Sequence, residues 1–142
     1  MGEPTTIAQI LDEHRHRECA LLPILNDVQA AFGEITEAAI RAIALALNLS
    51  RAEVYGVVSF YHDYRQTRSA LPILKLYRAE ACQANGVEAL IAEAEARAAG
   101  RVIIEPVYCL GLCSVGPAAM IGDKLVARLD AVSLASLIEE RA

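Results

Sequence analysis

The chain has 142 residues, 55% of them hydrophobic, a formal net charge of -5 and a pI near 5.2. That length supports one domain with a smaller appendage and leaves little room for a single large catalytic fold. The acidic balance, without a run of Lys or Arg, supplies no phosphate-binding face and so excludes nucleic acid as the expected partner. No stretch reaches the ~20 apolar residues that span a bilayer, so no membrane span is expected. The N-terminal MGEPTTIAQILDEHRHRECA does not pair a basic head with an apolar segment, and a soluble, cytoplasmic protein is expected.

In chain order, Ile7, Ile10 and Leu11 open a helical stripe with Thr6 as its cap. "LLPILNDVQAAFG" places Pro23 near the start of a second helix and Gly33 just past its end. Thr36 caps a third helix whose Ala39, Ile40, Ile43 and Leu47 recur at helical spacing. Ser50 and Glu53 form the capping box "SRAE" ahead of a fourth, which carries Val54, Val57, Val58 and Tyr61. The pattern changes near "RQTRSALP", Arg65 to Pro72. An N-terminal helical bundle or arm (1–70) and an α/β domain (71–142) are therefore expected. In the second, "LPILKLYRA" reads as a strand, "GVEALIAEAEARAAG" as a helix ending at Gly100, and "RVIIEPVYCL" as a second strand. "PAAMIG" and "KLVARL" flank a turn at Gly122 and Asp123, and "DAVSLASLIEERA" closes as a helix capped by Asp130 or Ser133. The order predicts a small α/β sandwich with a mixed sheet.

Four cysteines carry the chemical question. In a reducing compartment, closely spaced thiols are more often metal ligands or catalytic groups than disulfides. Cys82 follows the first strand, and Cys109 and Cys113 follow the second. In a βαβ unit the carboxyl ends of parallel strands share one sheet edge, so three thiols from two loops can converge. Gly111 and Gly116 allow the tight turns and free N–H groups that wrap a sulfur-rich anion, and Leu110, Leu112 and Val115 are expected to shield it. A metal or cluster site is the reading this supports. Zinc is an alternative, but it wants four Cys or His, and His14, His16 and His62 all lie in the helical half. A redox dithiol is another, but the C-x₃-C spacing is one residue longer than C-x-x-C and no helix follows it. The plain reading is a set of small buried apolar residues, as free cysteines often are. Cys19, in "HRHRECALLP", reads as a half-buried thiol beside solvent-facing histidines and is given no role, since residues two apart point to different helix faces.

The segments "LLPILNDVQAAFGEITEAAIRAIALALNLSRAEVYGVVSFYHDY" and "CLGLCSVGPAAMIGDKLV" resemble the small thioredoxin-like [2Fe-2S] subunit of complex I, its E subunit. The same family includes the gamma subunit of soluble molybdenum- or tungsten-containing NAD-dependent formate dehydrogenases and diaphorase subunits of NAD-reducing hydrogenases. "YRAEACQANG" and "YHDYR" look most like the formate dehydrogenase gamma subunits. The resemblance implies a thioredoxin-like α/β domain after the helical bundle. It also implies a cluster held by cysteines arranged C-x₄-C, a gap, then C-x₃-C. Cys82, Cys109 and Cys113 fall on the second, third and fourth positions, and Tyr77 stands at the first. A phenol is a hard, weakly acidic ligand compared with a thiolate, so this departure bears directly on the site.

No G-x-G-x-x-G follows a strand. FMN and NAD are thus expected on a partner, by resemblance the flavin- and NAD-binding beta subunit beside a catalytic molybdenum or tungsten subunit. The resulting expectation is a non-catalytic electron-transfer subunit of an NAD-dependent dehydrogenase, with formate dehydrogenase as the leading host. Complex I and an NAD-reducing hydrogenase diaphorase are the alternative hosts. A cluster-free structural adaptor docking through Phe60, Tyr61 and Tyr64 is a rival motivated by Tyr77. A thiol oxidoreductase is a weaker one, because fold likeness alone does not carry activity.

Overall fold

The computed structural model describes residues 6–140, and the chain divides into two compact units between Arg68 and Ser69. The first unit is built of α1 (Ile7–His14), α2 (Leu21–Phe32), α3 (Glu37–Leu47) and α4 (Arg51–Phe60). Each boundary has a local chemical cause. The Thr6 hydroxyl accepts from the Gln9 N–H at 3.3 Å while the Gln9 side chain accepts from the Thr6 N–H at 2.7 Å, which satisfies two of the helix's orphan donors. Gly33 ends α2 at φ 73 and Asn48 ends α3 at φ 53, left-handed positions that Gly and Asn adopt most cheaply. Ser50 and Glu53 close the reciprocal cap of α4.

The apolar stripes so arranged meet in one core. Ile24, Leu25 and Val28 of α2, Ile40 and Ile43 of α3, and Val54 and Val58 of α4 are almost fully buried there with Ile35. The chain beyond α4 is tied back to this unit. Tyr64 donates its hydroxyl to Asn26 at 2.8 Å, and the Arg65 N–H donates to the Gln29 side chain at 2.8 Å. Ile35 N–H reaches the Arg65 carbonyl at 2.6 Å. His14 is buried, not solvent-facing, with its Nε2 2.5 Å from Asp27 Oδ2. Its place on the apolar stripe of α1, one turn beyond Ile10, explains the burial. Cys19 is exposed rather than half-buried, in the turn between α1 and α2 at φ 56.

The second unit holds β1 (Ile73–Tyr77), α5 (Glu80–Ala84), α6 (Val87–Ala98), β2 (Ile103–Val107), β3 (Ala118–Ile121), β4 (Lys124–Ala127) and α7 (Ala131–Glu139). The four strands form one mixed sheet in the order β2-β1-β3-β4. β1 runs parallel to β2, with Tyr77 opposite Val107, and antiparallel to β3, with Leu76 opposite Ala119. β2 is an edge strand, which is where Pro106, lacking an N–H, can sit without breaking a ladder. Leu74 and Leu76 alternate onto one face and join Val87, Ile91 and Ala94 of α6 and Leu134, Leu137 and Ile138 of α7 in a second core. This is the α/β thioredoxin-like arrangement. α6 stops at Ala98 because Ala99 and Gly100 turn left-handed, at φ 44 and 76. Asp130 rather than Ser133 is the cap of α7, accepting from the Ser133 N–H at 2.8 Å.

Two outcomes follow from these caps. Ser50→Ala removes the acceptor that holds the Glu53 N–H at 3.2 Å and should cost about 1 kcal/mol in denaturant unfolding. The Asp130 carboxyl is held below its ordinary value of 3.8, first by the Ser133 N–H and then by the Ser133 hydroxyl. A depressed pKa stabilises the fold above the unfolded value, and that contribution is lost as pH falls through the folded one. Thermal melting followed from neutral pH to below the ordinary carboxylate range should therefore fall less steeply for Asp130→Asn than for the parent chain.

Candidate metal centre

Because β1 and β2 are parallel and in register to their ends, the chain leaves both at the same sheet edge. The Arg78 N–H extends the ladder by one more bond, to the Val107 carbonyl at 2.8 Å. From this edge β1 contributes Tyr77 as its last residue, and Cys109 follows β2 after Tyr108. The loop then turns through Gly111, whose φ of 73 is the left-handed value that glycine adopts without strain. Cys113 opens a single turn of 3₁₀ helix over Cys113–Val115. Arg128 and Leu129, just past β4, hold this loop by donating to the Val115 and Pro117 carbonyls at 2.8 and 3.0 Å.

Cys82 lies on α5, not in a loop. "EACQA" is made of good helix formers, and the turn is braced by Gln83 donating to the Arg78 carbonyl at 3.0 Å and Asn85 to the Ala81 carbonyl at 2.6 Å. The same Arg78 makes a two-pronged pair with Glu88 of α6, at 2.9 and 2.9 Å. A planar guanidinium meeting a carboxylate in this way fixes orientation as well as distance. The clamp sets α6 against the end of β1, next to Tyr77. Nothing in the residue spacing signals it, since ten positions separate the partners and the turn of α5 lies between them.

Tyr77, Cys82 and Cys113 are brought to one end of the sheet, and Cys109 stands on the loop after β2, with different exposures. Cys82 is fully buried and Tyr77 is 3% exposed, whereas Cys109 and Cys113 are exposed. Tyr77 Oη lies 2.9 Å from Cys113 Sγ. The Tyr77 phenol is pushed up to about 12, foremost by this hydrogen bond, then by burial and by the charges of Cys113, Cys109 and Cys82. Burial pushes the Cys82 thiol up, the Ala118 N–H opposes that, and the Cys113 charge adds to it.

Gly116 serves by close approach and not by a special backbone angle: its φ is -66, and a Cβ there would stand 2.8 Å from Cys82 Sγ. Leu110 and Leu112 pack against a core that includes Tyr77 and Cys82. They are half-buried and packed against the core of the unit, so their apolar surface is used inward.

A set of soft thiolates at one edge suits iron–sulfur clusters, zinc or copper(I), and disfavours the hard cations that want oxygen. The profile of the thioredoxin-like [2Fe-2S] ferredoxin family matches residues 7–142. The E subunit of the NADH-quinone oxidoreductase of Escherichia coli K12 is 26% identical over 97% of this chain and 89% of its own length. Its counterpart in Buchnera aphidicola from Baizongia pistaciae is 26% identical over 96% and 85%. The NADP-reducing hydrogenase subunit HndA of Solidesulfovibrio fructosivorans is 23% identical over 84% and 75%. Among solved structures, an NAD+-reducing [NiFe]-hydrogenase in the air-oxidized state superposes with a TM-score of 0.72 at 27% identity. That match covers 89% of this chain and 23% of the hydrogenase chain. With the family profile spanning both units, this chain belongs to the thioredoxin-like [2Fe-2S] ferredoxin family.

Proposed function

We propose that the chain is an electron-transfer subunit whose Cys82, Cys109 and Cys113 hold a [2Fe-2S] cluster, with Tyr77 at the fourth position. The observation that carries this reading is the placement of Cys82 on α5 and of Cys109 and Cys113 on the loop after β2 at one end of the sheet, beside a glycine whose missing Cβ leaves room for Cys82. Three of the four donors are thus of the type the group needs, and the fourth is an oxygen. When bound, such a cluster stores and passes single electrons, its potential set by ligands, hydrogen bonds to sulfur and exposure. The residues of this chain bind and orient it: Cys82 from the buried side, Cys109 and Cys113 from the exposed side. The Ala118 N–H at Cys82 and the Tyr77 hydroxyl at Cys113 supply polar contacts to two of the sulfurs.

The host is an assembly of the NADH-quinone oxidoreductase or NAD(P)-reducing hydrogenase type, as the names of the relatives suggest, and the cytoplasm is the location this reading expects. A partner there supplies FMN and binds NAD. Membership of a formate dehydrogenase with a molybdenum or tungsten subunit, as gamma subunit, ranks second: it rests on "YRAEACQANG" and "YHDYR", whereas the relatives named above carry the other names. No helix among the described residues is long and apolar enough to cross a membrane. The cluster-free adaptor draws support from Tyr77 and from Phe60 and Tyr61, which are exposed on the first unit.

Anaerobic reconstitution of the full chain with iron and sulfide should load about two irons and two sulfides and yield a [2Fe-2S] EPR signal on dithionite reduction. Cys109→Ser and Cys113→Ser should each lower iron retention several-fold. Gly116→Ala should do the same by crowding Cys82, while the far-ultraviolet circular dichroism stays that of the parent. A parent chain that retains no iron under any condition would leave the adaptor.

A further inference from the structure

The helical unit carries a group of donors that the electron-transfer reading does not use. Glu13 and His14 close α1, Asp27 stands on α2, and one donor atom of each lies within 4.8 Å of the other two. The sequence explains the meeting. His14 follows Ile10 on the buried stripe of α1, and Glu13, about 100° away around the helix, falls on its exposed side. Asp27 is exposed too, beside the buried Val28, and α1 and α2 share one core through Ile10, Ile24 and Val28. Two observations point to a cation at this place. His14 is only 8% exposed, yet its Nδ1 has no hydrogen-bond partner whichever ring nitrogen carries the proton, because Nε2 alone meets Asp27. Buried polar atoms are otherwise almost always paired. No Lys or Arg forms an ion pair with Glu13 or Asp27 among the described residues, and carboxylates drawn together repel each other unless a positive charge joins them.

We propose that Glu13, His14 and Asp27 bind one divalent cation of the zinc type, with solvent filling the remaining coordination positions. One imidazole and two carboxylates make a borderline donor set that suits such an ion, and the soft thiols of the second unit take no part in it. On a tetrahedral ion with bonds of about 2.0 Å the donor atoms stand roughly 3.3 Å apart. The buried ring keeps its place, and the two exposed carboxylates make the small movement this spacing needs. No redox change accompanies binding, and a proton on the ligating nitrogen passes to solvent. The bound ion neutralises the two carboxylates and clips α1 to α2.

Long-range proton–nitrogen NMR spectra of the histidine rings read this site in the full chain, whatever zinc the thiols also take up. Titration with zinc chloride should move the His14 resonances saturably and leave those of His16 and His62 in place. Glu13→Gln and Asp27→Asn should each weaken the affinity read at His14 by at least about tenfold. Both positions are exposed, and far-ultraviolet circular dichroism of each variant should match the parent. His14 resonances that stay fixed up to millimolar zinc would overturn the proposal. A His14 shift of undiminished affinity in both variants would overturn it too, by marking the zinc as adventitious on the ring, as would equal shifts at all three histidines. These outcomes are independent of the iron content of the second unit.

Discussion

Everything at the candidate centre depends on the parallel ladder between β1 and β2. Parallel pairing forces the chain to return through α5 and α6 before the second strand can start, and it delivers both carboxyl ends to one edge of the sheet. Were the strands antiparallel, Tyr77 and Cys109 would leave the sheet at opposite ends. The antiparallel hairpin of β3 and β4 completes the arrangement, because β3 starts at Ala118 beside the end of β1 and carries Gly116 and Pro117 with it. One ladder therefore converts a gap of many residues between Cys82 and Cys109 into proximity.

The centre built there is asymmetric in its solvation. Cys82 is buried on a braced turn, and burial works against its thiolate, while Cys109 and Cys113 face outward on a loop pinned by Arg128 and Leu129. A buried thiolate is costly unless a charge or donor offsets it. The Ala118 N–H is one such offset, and a bound metal would be a far larger one. The Tyr77 phenol is pushed up, foremost by the hydrogen bond with Cys113, at the end of β1 beside the thiols.

The helical unit stands on a different kind of physics. Its core is assembled from apolar stripes on short helices, each started and stopped by local chemistry at Thr6, Gly33, Thr36, Asn48 and Ser50. The Glu37 carboxylate, bonded to Arg41 and Arg51, links α3 to α4, but it is solvent-screened and contributes little beside the buried isoleucines and valines. Phe60 and Tyr61 pack edge to face with their centroids 5.1 Å apart while remaining exposed. Their contact covers part of the aromatic surface that the sequence places at the end of α4.

Local signals in the sequence determined the helices, the strands and the change of pattern near residue 70, because caps, turn residues and apolar periodicity act within a few positions. The thiol set was legible as well: C-x₃-C around a glycine and a third cysteine after a strand are statements about spacing and topology. Three features were not legible. The turn of α5 under Cys82 is too short to show periodicity, the Arg78–Glu88 clamp joins residues ten apart across that turn, and His14 reads as a surface residue unless the stripe of α1 is packed. The sequence by itself determined which donors were available. Only the tertiary structure decided that the Tyr77 hydroxyl faces the Cys113 sulfur at hydrogen-bonding distance, since side-chain reach and direction follow from packing around a strand end and not from order along the chain.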